Sequence, residues 1–348
     1  MRILVIGGTG FVGLHVVRRL VEAGNEVTIF HRGRTETELP VEVAHIHGDR
    51  RRLTDFTNDF RHVSPEVVLD AFAMREEDAR ASVAAFTGIA RRLVAISSQD
   101  VYRAYGRIRR TESGPPDPMP LTERAPLRER LYPYREHNPF PPDDPRHAEA
   151  HDYDKIPVER TVMRTPGLSG TVLRLPMVHG PGDPQHRLFR YLKPMDDDRP
   201  AILLGEKLAR WRAPRGYVEN IAAAVALAVA DERAAGRVYN VAEPDAMTEL
   251  EWVRAVGHAA GWRGEVVLVP EDCLPAHLRF EGDLDQQWIV DDSRIRRELG
   301  YAENVPIEEW LQRAVAWERA NPPERVDAAE FDYAAEDVAL ADVSRPSC

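Results

Sequence analysis

Ile3-Leu4-Val5-Ile6-Gly7-Gly8-Thr9-Gly10-Phe11-Val12-Gly13 is a short apolar run that breaks into glycines and resumes as a helical pattern. An apolar run without polar alternation suits a strand buried on both faces of a parallel sheet. Gly7, Gly10 and Gly13 give the spacing G-x-x-G-x-x-G. The first glycine permits a tight turn, the second lets a pyrophosphate approach the backbone, and the third lets the helix pack against the strand. The helix N-terminus then faces the phosphates. A dinucleotide is expected here, held by Gly7, Thr9, Gly10, Phe11, Val12 and Gly13.

A second strand follows at the distance a βαβ unit requires, and its end is where such folds distinguish cofactors. An acid there bonds the 2′-hydroxyl of NAD and repels a 2′-phosphate. This chain has Phe30-His31-Arg32-Gly33-Arg34 instead, with two arginines able to grip a phosphate. NADP is therefore favoured over NAD, with His31, Arg32 and Arg34 at the phosphate. His45 and His47 lie two apart on the next strand and share a face. No third ligand adjoins them in sequence, so no metal is expected, and they are read as lining the cofactor side or the strand edge.

Further runs at Val27–Phe30, Val41–Ile46, Val67–Phe72, Leu93–Ile96 and Thr171–Leu175 alternate with helical spacing at Val12–Ala23 and Glu76–Arg91. Strands alternating with helices predict an α/β Rossmann fold, a doubly wound parallel sheet. The expected dinucleotide-binding domain spans 1–175 plus about 218–241. A smaller C-terminal substrate-binding lobe is expected from 176–217 plus 242–320. Residues 103–150 hold ten prolines and little periodicity, so they read as a lid or a poorly ordered excursion. The stretch 321–348 has seven acids and two bases and is expected as a loosely docked acidic tail.

The 348 residues carry 46 basic and 57 acidic side chains, a net charge of −11, which argues against a nucleic-acid or anionic-membrane partner. Cys273 and Cys348 cannot build a disulfide framework and fit a reducing compartment. The longest apolar stretch, 221–230, falls short of the ~20 residues of a membrane span. The opening strand shows no leader pattern. A cytoplasmic location follows as the expectation.

Beyond the glycine loop stand Asp49, Ala71-Phe72-Ala73, Ser97-Ser98-Gln99-Asp100-Val101-Tyr102, Lys155 with Glu159, Arg174 through Val178-His179-Gly180-Pro181-Gly182, Tyr239-Asn240-Val241, and Asp292 with Arg294. With these, residues 1 to about 320 resemble the extended short-chain dehydrogenase/reductase superfamily, in its NAD-dependent epimerase/dehydratase group. The resemblance implies that Asp49 holds the adenine and that Ala71, Phe72 and Ala73 flank the diphosphate and ribose. Arg50, Pro176 and Val178 are placed along the same cofactor. A homodimer is implied by analogy alone.

In that family a Tyr moves the substrate proton, a Lys four residues later depresses its pKa and holds the ribose, and a Ser polarises the carbonyl. Ser98 and Lys155 match. His151, however, stands where the Tyr belongs, and Tyr153 is only two residues before Lys155, so in a regular helix it would point away. Pro157 suits a first helical turn better than an interior. Three readings stay open: Tyr153 acts from a loop before the helix, His151 replaces it as acid/base, or the site binds cofactor without turnover.

Gln99 and Asp100 stand where 4,6-dehydratases carry Asp-Glu, so the general acid for dehydration is missing. Asp100, Met177, His179, Arg212 and Arg215 are the expected substrate contacts. The function read from the sequence is an NAD(P)-dependent oxidoreductase or epimerase acting on a hydroxyl/carbonyl small molecule. The alternatives are a nucleotide-sugar 4-epimerase with tightly held NAD, or a non-catalytic dinucleotide-binding, RNA-associated protein.

Overall fold

The computed structural model describes residues 1–34, 39–136, 138–144 and 146–343. Its strands are β1 (Arg2–Ile6), β2 (Glu26–His31), β3 (Ala44–His47), β4 (Val67–Asp70), β5 (Arg92–Ser98), β6 (Ser169–Leu175), β7 (Met177–His179), β8 (Ala201–Gly205), β9 (Arg215–Tyr217), β10 (Val238–Asn240) and β11 (Glu265–Val269). Among the described residues, seven form one parallel sheet in the order β10-β6-β5-β4-β1-β2-β3. Chain order reverses between β1 and β4. Ligands of such sheets bind outside the strand carboxyl ends at that reversal.

Alternation of side chains sends one set from each strand to each face. Ile3, Val5, Val27 and Ile29 join Val16, Val17 and Leu20 of the helix Phe11–Glu22 and the alanine-rich helix Val218–Ala230 in one core. Leu4, Ile6, Phe30 and Val68 meet Phe60, Phe86, Val158 and Val162 in the other. With both faces covered, the doubly wound α/β fold read from the sequence is the fold observed.

Element ends moved where local chemistry competes with the apolar pattern. The edge strand begins at Ala44 rather than Val41, because a turn in which the Val43 N–H donates to the Pro40 carbonyl (3.1 Å) precedes it. The helix starting at Glu76 stops at Phe86, since Thr87 is extended and Gly88 adopts φ +78°. The pairs β7–β9 and β8–β11 lie outside the large sheet, within the stretch expected as the substrate lobe.

The proline-rich stretch is folded back on the molecule by buried polar anchors. Arg103 and Arg107 converge on Asp117, whose N–H donates to Gln286 Oε1 at 2.6 Å. Arg128 is 2% exposed and donates to the Asp100 carbonyl (2.6 Å) and to Asp154 (3.2 Å). In the acidic C-terminal stretch, Tyr333–Val343 is a helix docked by Ala339 against Leu203, Val269 and Leu274. Buried Glu336 pairs with His277 at 3.0 Å, and the Tyr333 hydroxyl donates to Asp197 at 2.6 Å. These contacts are single polar anchors with no period, so a pattern search passes over them. Cys348 lies outside the described residues.

The side chains of Arg128 and Asp154 are each only 1% exposed, so removing one charge strands the other. Arg128→Met is expected to destabilise the fold by about 3–5 kcal/mol in urea unfolding. A loss below about 1 kcal/mol, the value of a surface bridge, would contradict that burial.

Candidate active site

The glycine loop behaves as its spacing requires. Gly7 has φ +84°, where a side chain would be strained, and a Cβ on Gly13 would sit 2.3 Å from the Gly7 carbonyl oxygen. A Cβ on Gly10 would meet nothing nearer than 3.7 Å, so that glycine leaves open space rather than filling a contact. Gly10 also caps the helix Phe11–Glu22 without any side-chain hydrogen bond. The helix's first N–H groups are thereby left for an outside acceptor.

Beside this loop lies a cavity of about 460 Å³. It is lined by Thr9 and Gly10, by Arg32, Arg34, Asp49 and Arg50, and by Phe72 and Asp152. Asp49 caps the following turn and is forked by Arg51, which holds its carboxyl down to about 2. Arg50 is committed to the protein: its two terminal nitrogens bond both Asp70 oxygens at 3.0 Å and it also donates to the Phe72 carbonyl. Ser82 completes the ring around Asp70 at 2.6 Å. Arg50 thus shapes the wall, fixing where Phe72 stands half-exposed against Gly7. Ala71 packs on the core, and Ala73 is buried with its carbonyl taken by Lys155. Phe11 and Val12 are half-buried against the core.

The catalytic candidates, outside the lining of this cavity, are arranged by one cap. The helix starts at Lys155, with Asp154 as N-cap in extended backbone (φ −161°, ψ 123°), its carboxylate accepting the Ile156 N–H at 2.9 Å. Pro157 then falls in the first turn, where its missing N–H leaves no bond unmade. Tyr153 lies in the turn before the cap. The extended residue between them brings Tyr153 and Lys155 to the same place, with Lys155 Nζ 5.9 Å from the Tyr153 ring centre. The two-residue spacing is thus no obstacle.

Tyr153 is buried and its hydroxyl donates to Asp100 Oδ2 at 2.8 Å. Tyr134, from the proline-rich stretch, packs on the Tyr153 ring at 5.4 Å and shares a hydroxyl contact with Tyr105 at 3.2 Å. Burial pushes the Tyr153 hydroxyl well above its usual value, the Asp100 charge adds to it, and Ser98 opposes it through a hydrogen bond. Burial likewise raises the Asp100 carboxyl, against Arg128 and Tyr153. Its second oxygen, Oδ1, is buried without a hydrogen-bond partner among the described residues. Ser98 accepts the Asp100 N–H at 3.2 Å. Lys155 Nζ donates to the Ala73 (2.7 Å) and Ile96 (3.0 Å) carbonyls, and burial lowers it to about 8.

Other sequence candidates stand elsewhere. His151 is exposed and pairs with its neighbour Asp152 at 3.0 Å, outside the Tyr153–Asp100 group, because it ends the short helix Arg146–His151 rather than lying on the lysine's helix. His179 is 3% exposed and packs between Trp252 (5.0 Å) and Trp310 (6.4 Å) as a core residue. Buried Arg215 pairs with Glu249 and stacks on Trp252 at 4.5 Å. Arg212 donates to the Ala246 carbonyl at 2.6 Å. Met177 packs with the Trp211 cluster, Val178 is buried, and Pro176 is half-buried next to Gly216. Sequence reasoning passed over Tyr134 and Arg128, which carry no local signal, whereas a helix start near Asp154 was legible from the first-turn proline.

These features fit a nicotinamide dinucleotide: a loop open at Gly10, an uncapped helix start, a cavity for the adenosine half, and Lys155 beside the strand ends. Among the described residues, no helix is long and apolar enough to cross a membrane. Gly13→Ala is expected to push the loop off its helix, weakening dinucleotide binding and destabilising the fold by about 1–3 kcal/mol. Nucleotide titration and thermal melting check this; a variant that binds and melts like the parent would contradict the close approach.

Comparison with known proteins agrees with this geometry. The model of the NAD dependent epimerase/dehydratase family matches residues 3–99 and 131–242. A 2′-dehydrokanamycin reductase of Streptomyces kanamyceticus is 27% identical over 302 residues, 84% of this chain and 75% of that protein. A dTDP-glucose 4,6-dehydratase of Streptomyces griseus is 29% identical over 187 residues, 53% of this chain and 52% of that protein. Among solved structures, the UDP-glucose 4-epimerase of Thermotoga maritima with UDP-glucose superposes with a TM-score of 0.66 at 20% identity, covering 93% of this chain and all of that one. The Bordetella bronchiseptica enzyme WbmG, solved with NAD and UDP, gives 0.65 at 17%, covering 92% and 95%. The chain belongs to the NAD dependent epimerase/dehydratase family and is an NAD(P)-dependent enzyme of its oxidoreductase and epimerase type.

Proposed function

We propose that the protein is an NADPH-dependent reductase of a ketone on a polyhydroxylated small molecule. The observation that carries this is the buried Tyr153–Asp100 hydrogen bond beside Lys155 and Ser98. A tyrosine whose pKa is raised keeps its proton until a stronger acceptor develops, which suits it to donate rather than abstract. The bound cofactor supplies the hydride. The Tyr153 hydroxyl gives its proton to the substrate oxygen as the hydride arrives. Ser98 orients that oxygen, and Lys155 opposes the negative charge left on Tyr153. A proton from solvent then restores the Tyr153 hydroxyl, which again donates to Asp100. The sugar-like substrate class rests on the name of the kanamycin-related reductase.

The preference for NADPH rests on the cavity wall. Arg32 and Arg34 line it just after β2, and Asp49, an acid on the same cavity, is already forked by Arg51. An arginine grip on a 2′-phosphate is charge-assisted and bidentate. Replacing both arginines with Ala is expected to weaken NADPH about 10–100-fold while leaving NADH within about twofold, since each charged hydrogen bond contributes ~1.5–3 kcal/mol before solvent screening. Equal losses for both cofactors would overturn the assignment.

NADPH oxidation across a panel of keto-sugars and keto-aminoglycosides tests the reaction. Turnover that falls about 10²–10⁴-fold in Tyr153→Phe, with binding kept, supports the reading. Protein that purifies with NAD and interconverts C4 epimers without net oxidation supports the epimerase instead. Turnover is also expected to fall as pH rises through about 8, where Lys155 loses its proton. A rate profile flat across that region would remove Lys155 from the chemistry.

A further inference from the structure

The end of β2 and the edge strand β3 bring together three histidines, of which only His31 lines the nucleotide pocket. In the parallel register His31 stands opposite His47, and His45 lies two residues back on the same face of β3. Their rings crowd into one cluster, with centres 4.7 Å apart for His31–His47 and 5.0 Å for His31–His45. One ring nitrogen from each lies within 4.8 Å of the other two, and His31 Nε2 is 2.9 Å from His45 Nδ1. Among the described residues, no other histidine, cysteine or carboxylate joins this group.

Read along the chain, His45 and His47 lacked a third ligand; the sheet supplies it from fourteen residues upstream. We propose that His31, His45 and His47 form a binding site for a late first-row divalent ion such as Zn²⁺, Co²⁺, Ni²⁺ or Cu²⁺.

The cluster asks for a cation for two reasons. A buried nitrogen, His31 Nδ1, has no hydrogen-bond partner among the described residues. The backbone fixes the separation as well, because strand pairing sets one distance and the two-residue repeat sets the other, so little order remains to be imposed on binding. Imidazole donors select Zn, Cu, Ni or Co over the hard ions Ca²⁺ and Mg²⁺, which take oxygen. Three nitrogen ligands leave a position open for water or an outside anion. His31 also lines the cofactor cavity, so an ion here would stand at the arginine-bearing end of that pocket.

The test is isothermal titration of the full-length, untagged protein with zinc chloride, backed by the visible absorption of a cobalt(II) adduct. One ion per chain is expected, with ligand-field bands of low coordination number. His45→Ala and His47→Ala lie on the exposed edge strand and are expected to fold normally. Each is expected to weaken binding more than about 10-fold, the scale already seen for loss of an outer-shell partner. His62→Ala, at an exposed histidine on the helix Thr57–Val63, serves as the control and should bind as the parent does. Absence of zinc binding, or binding that the His45 and His47 variants leave unchanged, overturns the site. The readout requires no turnover, so it stands apart from the reductase reading.

Discussion

The buried ion pair between Arg128 and Asp154 is the constraint on which the site depends. Asp154 is both the cap that starts the helix Lys155–Met163 and the residue separating Tyr153 from Lys155. Its carboxylate accepts from the Ile156 N–H, the Tyr132 N–H at 2.7 Å and the Arg128 guanidinium. Three donors hold an extended residue in place, and that residue lets a tyrosine two positions from the lysine reach the same pocket. Arg128 also bonds the Asp100 carbonyl, so one guanidinium sets both partners of the Tyr153 hydrogen bond. Buried pairs of this kind contribute little net stability compared with apolar packing, and their use here is positional.

The same logic runs through the rest of the groove. Asp70 at the end of β4 fixes Arg50, and Arg50 fixes the Phe72 carbonyl above the glycine loop. Behind Lys155, Glu159 is gripped by Arg174 through both oxygens, at 2.9 and 2.7 Å, and takes the Ser97 hydroxyl at 2.6 Å. Arg174 in turn donates to Tyr102, whose hydroxyl bonds Asn240. The helix bearing Lys155 is thereby tied to β5, β6 and β10 by a fully partnered polar network. Such networks specify one arrangement because any slip would strand a charge in low dielectric.

How much was legible follows from what each feature needs. The glycine loop and the sheet are local or periodic, and they were readable from Ile3–Gly13 and the alternating apolar runs. Ser98 and Lys155 followed from motif spacing. For Tyr153 a loop ahead of the helix was one of three open readings, because spacing arguments assume a regular helix and only the cap at Asp154 shows where that assumption breaks. His179 was read as facing substrate from its motif position, yet its surroundings, Trp252 and Trp310, lie far along the chain. The anchors Arg128 and Asp117 sit in a stretch without period. Their partners are tens to more than a hundred residues away, where one-dimensional reading has no purchase.

A crystal structure of the protein with NADPH is the most direct test of the central claim, that Tyr153 delivers the proton from the loop ahead of the Asp154 cap. The account predicts the adenosine half in the cavity beside Arg32 and Arg34, and the nicotinamide facing the Tyr153 and Ser98 hydroxyls. A structure in which His151 turns inward to the nicotinamide, with the Tyr153 hydroxyl out of reach of its reacting carbon, would contradict it.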